Sequence, residues 1–207
     1  MRTLVIETAT SACSVALIDG KILVGERHEV VGRGHAEQLL PMIASLNGGG
    51  QAARILVDCG PGSFTGIRVG VAAARALGFG WGVPVAGFSS LALLAAAGFA
   101  ARDALDALAV VLEGGHGEVF MQSFSRTPFA PLDVLASRAP EAALAALGER
   151  VAIGNAGRFL APIAPDRDWD VMLPRAADVR LLPLAFTALA ATPVYGRAPD
   201  AKPMAAL

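Results

Sequence analysis

The stretch that decides the fold runs Asp58-Cys59-Gly60-Pro61-Gly62-Ser63-Phe64-Thr65-Gly66-Ile67-Arg68-Val69-Gly70. An apolar run at 55–57 precedes it, and an alanine-rich segment that reaches Trp81 follows it. Because glycine tolerates backbone angles and close approaches that a Cβ forbids, this pattern predicts a strand, a tight loop and a helix N-terminus. The unpaired amides that open such a helix attract anions, so the loop is either a phosphate cradle or a structural turn.

The loop departs from three familiar motifs. A Walker A loop ends in Gly-Lys-Ser/Thr, but Ile67 and Arg68 follow Gly66 here. The dinucleotide-binding fingerprint requires a third glycine where Thr65 stands. A nucleophile elbow places glycines two residues either side of its serine, and Ser63 has neither. These mismatches argue against a P-loop NTPase, a Rossmann enzyme and a serine hydrolase.

The composition is that of a globular protein with one large domain or two small lobes. The chain has 207 residues, is 54% hydrophobic and carries a net charge of −1. It lacks the positive field that nucleic-acid-binding proteins use, so any RNA contact must be local or partner-assisted. Charges interrupt the longest apolar run and the start lacks a signal-peptide pattern, so we expect a cytoplasmic protein without a membrane segment. Cys13 and Cys59 lie in apolar contexts, which suits reduced core thiols.

Local patterns in the first half predict the order βββαβα. They indicate strands at 4–8, 13–18 and 21–29, a helix at 35–46, a strand at 55–57 and a helix at 67–81. Asp19-Gly20 is a preferred two-residue hairpin turn between the second and third strands. Leu39, Ile43 and Leu46 form one apolar stripe on the first helix, which is typical of core residues.

The second half predicts the same order again after a helix at 90–100 and a charged connection at 102–106. The expected elements are strands at 108–112, 118–124 and 132–135, a helix at 139–147, a strand at 151–153 and a short helix after 155–157. We therefore predict an α/β protein of two ribonuclease-H-like lobes, at 1–104 and 105–207, the second lobe compact. This is the architecture of the actin and sugar-kinase ATPase superfamily, although a fold alone does not establish ATPase activity.

Four blocks of the first half resemble the bacterial TsaB (YeaZ) family and occur in its order. They are LVIETATSACSVAL (4–17), HAEQLLPMI (35–43), GPGSFTGIRVG (60–70) and VPVAGFSSL (83–91). Shorter matches extend the resemblance through the second half at GEVF (117–120), GNAG (154–157) and PVYGR (193–197).

The resemblance implies a non-catalytic subunit of the machinery that places threonylcarbamoyl on the adenosine beside the anticodon of ANN-decoding tRNAs. It also implies a heterodimer with a TsaD-like catalytic subunit, a TsaE-like ATPase that joins the pair, tRNA contact only through the complex, and no cofactor.

The chain departs from the family pattern at four places. Glu7 stands where members commonly have Asp, and Glu113-Gly114-Gly115-His116 replaces an Asp-Ala-Arg-like turn. The connection at 48–54 is shorter than expected, and the C-terminal lobe is trimmed. These differences weaken the case for phosphate or metal handling and imply a compact variant of the family.

His35-Ala36-Glu37 invites a metal-site interpretation that the rest of the chain does not support. The resembling catalytic sister family carries a His-x-x-x-His metal pair on the equivalent helix. This chain has only three histidines, which are His28, His35 and His116. We therefore expect no metal site and no catalytic residue.

The helices on either side of the loop are expected to form a partner interface. Leu40 and Met42 lie off the apolar stripe of the first helix, which is wider apolar coverage than one-sided burial needs. Small residues at 67–77 permit close helix approach. The TsaB family pairs with its sister subunit, or with itself when the sister is missing, so these helices would supply half of a four-helix contact. The residues predicted there are His35, Glu37, Leu40, Ile43, Val69, Ala73 and Leu77.

The glycine loop is predicted first as a structural turn, with phosphate or partner contact as alternatives. The residues concerned are Gly60, Gly62, Ser63, Thr65, Gly66 and Arg68. A function of another class stays open, namely an actin-fold kinase or ATPase that acts alone. It would hold a nucleotide with Glu7, Gly60, Gly62 and Ser63. Saturable ATP binding by the isolated chain would favour that enzyme.

Overall fold

The first lobe is a five-stranded mixed sheet with helices, seen in a computed structural model that describes residues 1–196. Its elements are β1 (Arg2–Glu7), β2 (Ala12–Asp19), β3 (Ile22–Val30), α1 (His35–Ala44), a 3-10 turn (Asn47–Gly50), β4 (Arg54–Asp58), α2 (Phe64–Trp81), β5 (Val85–Phe88) and α3 (Ser90–Ala101). The predicted three-stranded meander and all three predicted helices are confirmed. The strand β5 was missed.

The first sheet has the strand order β3-β2-β1-β4-β5. β1, β2 and β3 pair antiparallel, whereas β4 pairs parallel to β1 and to β5. Parallel neighbours need a crossover, and α1 and α2 provide the two crossovers. The predicted hairpin is present, but its two-residue turn lies one residue later than Asp19-Gly20. Asp19 ends β2 and pairs with Ile22, so Gly20, with a φ of +61°, and Lys21 form the turn. The order and the strand directions are those of a ribonuclease-H-like lobe.

The second lobe repeats this plan. Its elements are β6 (Ala107–Glu113), β7 (Val119–Ser125), β8 (Ala130–Pro131), β9 (Ala136–Arg138), α4 (Pro140–Leu147), β10 (Val151–Gly154), α5 (Gly157–Leu160) and β11 (Asp170–Val171). The sheet order is β11-β10-β6-β7-β8, and β9 also pairs with β7. β6 corresponds to β1 and β10 to β4, so the predicted α/β fold of two ribonuclease-H-like lobes is confirmed.

The strand predicted at 132–135 is wrong. β8 and β9 pair with β7 on either side of this segment, and the segment itself is irregular. Asp133 explains the break, because its side-chain Oδ1 accepts the backbone N–H of Ser123 at 2.7 Å. A side chain therefore occupies the place of a ladder carbonyl, and the third strand of the lobe is split into two short pieces.

Helix α3 forms the centre of the molecule. It is buried on all sides from Leu91 to Phe99, and its core cluster includes side chains from both sheets, such as Val5 and Leu108. Separate clusters lie between the first sheet and α1 and α2, and between the second sheet and α4. A helix that is apolar all round must be covered all round, which explains its position between the sheets.

The chain returns to the first sheet after β11. Ala176 donates its N–H to the Ser14 hydroxyl at 3.0 Å, and the Val194 N–H bonds the Cys59 carbonyl at 2.7 Å. Residues 175–194 thus contact the lobe predicted as 1–104, and the boundary predicted at 104/105 stays a prediction. Arg197, the last residue of the motif at 193–197, lies outside the described residues.

Candidate functional site

The glycine loop is packed directly against the turn between β1 and β2. A Cβ on Gly62 would collide with the carbonyl oxygen of Ala9, and a Cβ on Gly66 with that of Thr8. The two glycines are therefore required by the close approach of two backbone segments.

Two backbone N–H donors of the loop, those of Ser63 and Gly66, are already used, and a loop carbonyl accepts a bond from the turn. The Ser63 N–H bonds the Ala9 carbonyl at 2.6 Å, and the Thr8 hydroxyl bonds the Gly66 carbonyl at 2.8 Å. The Ser63 hydroxyl caps α2 by accepting the Gly66 N–H at 3.2 Å. A phosphate would have to compete with these bonds, and phosphate contact stays a prediction.

Arg68 is held in place by two aromatic side chains. Its Nε and Nη2 donate to the Tyr195 hydroxyl at 3.2 and 2.9 Å. Its guanidinium carbon lies 3.5 Å from the centre of the Phe64 ring. The Phe64 side chain is 57% exposed and the Tyr195 side chain 50% exposed. The start of α2 therefore displays an arginine stacked between exposed rings.

Two buried carboxyl groups lie beneath the loop. Glu7 ends β1 and Asp58 ends β4, and the side chains of both are wholly buried. Glu7 Oε1 accepts the Ala9 N–H at 2.7 Å, and Asp58 Oδ2 accepts the Gly60 N–H at 3.0 Å. Glu7 Oε2 and Asp58 Oδ1 have no hydrogen-bond partner among the described residues.

Burial raises the pKa of both carboxyl groups. Desolvation raises the pKa of Glu7 well above its ordinary value, the Asp58 charge raises it further, and the Ala9 N–H lowers it. Desolvation also raises the pKa of Asp58, to about 7, and the amide of Gly60 and the polar groups of Ser90 offset part of this rise. Both carboxyl groups therefore hold their protons to a higher pH than exposed acids do.

The second lobe carries a related arrangement at the corresponding strand ends. Glu113 ends β6 as Glu7 ends β1, and Asn155 follows β10 as Asp58 ends β4. The Asn155 Oδ1 accepts the Glu113 N–H at 2.9 Å, and Arg158 bonds the Glu113 carboxylate at 2.8 Å. Burial raises the pKa of Glu113 and the Arg158 charge lowers it. Where the first lobe has Asp58 as a second acid beside Glu7, the second lobe thus has the Asn155 amide and the Arg158 guanidinium beside Glu113.

The predicted interface residues fall into two groups. His35 and Ile43 are buried in the first lobe, and His35 Nε2 lies 3.1 Å from the Ala12 carbonyl oxygen. Both are core residues, and the expectation that they reach a partner directly is corrected. Met42 is also buried, so the apolar surface of α1 is narrower than its sequence indicated.

The remaining residues form a surface that we call the α1–α2 face. Its members are Glu37 and Leu40 on α1 and Val69, Ala73 and Leu77 on α2. Leu40 is 53% exposed, Glu37 is exposed, and the three α2 residues are half-buried at a spacing of four. Helix α2 contains two arginines and no acid. The structure thus brings five of the seven predicted residues to the surface.

Sequence reasoning missed Asp58, Asn155 and Tyr195 as members of a site. Asp58 had one detectable signal, since it follows a short buried strand as Glu7 does. Asn155 and Tyr195 lie in the short family-like matches at 154–157 and 193–197, but these matches gave them no role, because their partners are supplied by distant segments of the chain.

Among residues 1–196 no group of three or more metal-ligating side chains is present. Within the same range no helix is both long enough and apolar enough to span a bilayer. Cys13 and Cys59 are buried, unpaired thiols, and burial raises the pKa of each to about 11.

A cleft of about 990 Å³ lies on the second lobe, away from all predicted site residues. Three arginines line it, but each is already engaged. Arg102 pairs with Asp170, Arg150 donates to the Leu147 carbonyl, and Arg167 donates to the Gly148 carbonyl. Arg102 is therefore ion-paired, whereas Arg150 and Arg167 are held in place by backbone carbonyls, which do not neutralise their positive charges.

Known proteins match both the sequence and the architecture. Residues 26–176 match the family model described as "TsaD: tRNA N6-adenosine threonylcarbamoyltransferase". An uncharacterized protein of Mycobacterium tuberculosis is 34% identical, and the alignment covers 98% of this chain and 94% of the relative. The Escherichia coli "tRNA threonylcarbamoyladenosine biosynthesis protein TsaB" is 31% identical, with 89% of this chain and 86% of the relative covered.

The solved structure named "YeaZ from Pseudomonas aeruginosa" superposes with a TM-score of 0.78 at 27% identity, covering 94% of this chain and 99% of that one. Sequence identity and fold thus agree over nearly the full length of both chains. The chain belongs to the TsaB (YeaZ) family.

Proposed function

We propose that this protein is a non-catalytic partner that binds and activates a TsaD-like catalytic subunit. The reaction would be threonylcarbamoylation of the adenosine next to the anticodon in ANN-decoding tRNAs. The name of the E. coli relative supports the pathway. The observation that carries the partner role is the α1–α2 face, an apolar surface on two adjacent helices, one of which carries no acid.

The α1–α2 face has the features of a helix-packing contact. Val69, Ala73 and Leu77 lie one helical turn apart and remain half-buried in the isolated chain. Exposed Ala72 and Ala76 beside them leave room for close approach of a partner helix. A stable contact buries about 1,000 Å² or more, which two helices from each protein can supply. Leu40 is the exposed anchor on α1.

Several features support the absence of catalysis by this chain itself. The chain lacks a second histidine on α1, and its one histidine there, His35, is buried against Ala12. Glu7 and Asp58, the acids nearest the loop, are wholly buried. A substrate at the surface of the loop would reach neither carboxyl group without a rearrangement.

Activation would follow from selective binding. If this chain has higher affinity for the competent conformation of the TsaD-like subunit, complex formation shifts that subunit toward the competent state. A TsaE-like ATPase would join the pair, and tRNA would be contacted through the complex. In the absence of the catalytic subunit the same face would pair two copies of this chain. We expect a cytoplasmic location.

The test is reconstituted threonylcarbamoyl transfer to tRNA. The reaction contains the TsaD-like subunit, the TsaE-like ATPase and a threonylcarbamoyl-adenylate synthase, with or without this chain. Modification that depends on this chain supports the proposal. Equal modification without it rejects the partner role.

A second experiment distinguishes the scaffold role from that of an ATPase that acts alone. The isolated chain is titrated with ATP and Mg²⁺ in a calorimeter, alongside the Gly62→Val variant. Saturable binding that is lost in the variant would favour the enzyme, whereas no heat of binding agrees with the scaffold role.

A further inference from the structure

Glu7 and Asp58 are neighbours in the first sheet. β1 and β4 run parallel with Ile6 opposite Val57, and the two acids are the next residues of their strands. Parallel neighbouring strands are about 5 Å apart, so the two side chains lie side by side at the carboxyl ends of β1 and β4, on the same face of the sheet. Both are fully buried, and the Asp58 charge acts on Glu7 directly.

The hydrogen bonding of each carboxyl group is incomplete, and the same number of oxygens is bonded in both. Each carboxyl group uses one oxygen to accept a backbone N–H, from Ala9 for Glu7 and from Gly60 for Asp58. Each has one buried oxygen left without a partner, Glu7 Oε2 and Asp58 Oδ1. Two ionised carboxylates offer only acceptors, so neither oxygen could satisfy the other. A proton shared between the two groups would provide the missing donor.

Glu7 and Asp58 have no basic side chain as a counter-ion among the described residues. No ion pair of the described residues includes either acid. The charges of the two acids act on the thiols of Cys13 on β2 and Cys59 beyond β4, whose pKa values are raised to about 11 and which are therefore neutral. Ser90 at the start of α3, with the Gly60 and Cys59 amides, favours the charged form of Asp58. These dipoles accommodate one charge on Asp58.

We propose that Glu7 and Asp58 form a positioning pair in which protonated Glu7 donates from Oε2 to the Asp58 carboxylate at Oδ1, and that this bond holds the glycine loop and the start of α2 in place. It deepens the partner role proposed above, because the α1–α2 face is the surface that it positions.

The pair clamps the loop from both ends. Glu7 Oε1 holds the Ala9 N–H, and the Ala9 carbonyl in turn accepts the Ser63 N–H at the cap of α2. Asp58 Oδ2 holds the Gly60 N–H at the start of the loop. Loss of the shared proton would place two like charges side by side in the core, and the loop and α2 would have to move to separate or hydrate them.

The direct test is the titration of the Glu7 carboxyl group by NMR in the isolated, isotopically labelled chain. Its signal is assigned as the glutamate resonance that Glu7→Gln removes. The Glu7 carboxyl group is expected to remain protonated through pH 7. Titration near pH 4 to 5, as in an exposed glutamate, would overturn the shared proton. This measurement is independent of any partner.

The positioning role is tested by binding to the TsaD-like subunit at neutral pH. Glu7→Gln keeps an N–H donor toward Asp58 and an oxygen for Ala9, so affinity should stay within about twofold of the parent chain. Asp58→Ala removes the acceptor for Glu7 and for Gly60, and affinity should fall by about tenfold or more, equivalent to ~1.4 kcal/mol.

Equal binding by the parent chain, Glu7→Gln and Asp58→Ala would overturn the positioning role even if the NMR titration supports the shared proton. A parent chain that does not bind the TsaD-like subunit at all would reject the partner function, and the NMR titration would still decide whether the pair shares a proton. A circular-dichroism melt of each variant establishes that it is folded, and if Asp58→Ala is unfolded, Asp58→Leu, whose side chain also offers no acceptor to Glu7 or Gly60, takes its place with the same expected direction of change.

Discussion

Arg68 and Tyr195 connect the first turn of α2 to the final described segment of the chain, because two guanidinium nitrogens donate to one phenol oxygen. The contact lies at the surface, beside the exposed Phe64 ring. It joins a segment that follows the second lobe to the glycine loop of the first lobe.

Tyr195→Phe should cost little stability. The variant keeps the ring next to Phe64 and removes only the hydroxyl, and an exposed bond of this kind contributes about 0.5–1 kcal/mol. Urea unfolding of the parent and the variant measures the difference. A loss above about 2 kcal/mol would contradict a surface role. Arg68→Ala should cost more, since it also removes the stacking on Phe64.

Gly66→Ala should be strongly destabilising, by about 3 kcal/mol or more, because the new methyl group collides with the Thr8 carbonyl oxygen. Gly80→Ala is the matched control on the same helix. Its Cβ meets no atom within 4 Å, and alanine stabilises an exposed helix position by about 1 kcal/mol relative to glycine. Thermal unfolding of both variants tests the packing. Similar melting temperatures for the two would contradict the close approach of the β1–β2 turn.

Leu40→Asp should abolish pairing with the TsaD-like subunit while the chain stays folded. Leu40 is 53% exposed, so its aspartate is solvated in the free chain and loses that solvation only at the contact. Val171→Asp on β11, at a position 71% exposed, is the matched control and should bind normally. Size-exclusion chromatography of the mixed proteins reads out pairing. Normal binding by Leu40→Asp would place the contact elsewhere.

Ile43→Asp should behave differently from Leu40→Asp. Ile43 is 3% exposed and packs in the cluster beneath α1, so an aspartate there is buried without a partner and the chain should unfold. Circular dichroism measures this directly. A folded Ile43→Asp variant would contradict the orientation of α1.

The stability of the chain should fall as the pH rises from about 4 to 7. Glu7 and Asp58 have raised pKa values in the folded chain, with Asp58 at about 7, so the folded chain holds protons that the unfolded chain has released. Stability from a raised carboxyl pKa is complete below the unfolded pKa near 4 and is lost through the folded pKa, at ~1.4 kcal/mol per pH unit for each proton.

The combined Glu7→Gln, Asp58→Asn variant is the comparison for this pH dependence. It removes both titrations, whereas the raised pKa values of Asp178 and Glu113 remain in both chains and cancel in the difference. Urea unfolding at several pH values should give a flatter dependence for the variant. Identical slopes for the two chains would contradict the burial of protonated carboxyl groups.

The elements that the sequence predicted well are those with local signals. The hairpin between β2 and β3, the stripe of Leu39, Ile43 and Leu46, and the glycine loop each have a signature within a few residues. The structure confirms these elements, with the hairpin turn one residue later than predicted. β5 was missed because Val85–Phe88 has only four residues, and its strand character comes from pairing with β4. The strand predicted at 132–135 failed because the Asp133 side chain replaces a ladder bond.

The sequence likewise predicted only part of the candidate site. Sequence patterns identified the α1–α2 face and the loop, but they could not separate Leu40 from Ile43 and Met42. Helix periodicity indicates which residues share a face, while the neighbouring elements decide which of those residues are covered. α1 packs against β2 and α2, and these contacts bury Ile43 and Met42 and leave Leu40 exposed.

The sequence by itself determined the duplicated strand and helix order and the family, since both depend on local patterns and motifs in the order of the chain. Only the tertiary structure placed Glu7 beside Asp58, Glu113 beside Asn155, and Arg68 against Tyr195. The physical reason is that parallel strand pairing and the return of the final segment join residues that are distant in sequence. Burial then changes their chemistry, because a carboxyl group removed from water holds its proton, and no local pattern reports that removal.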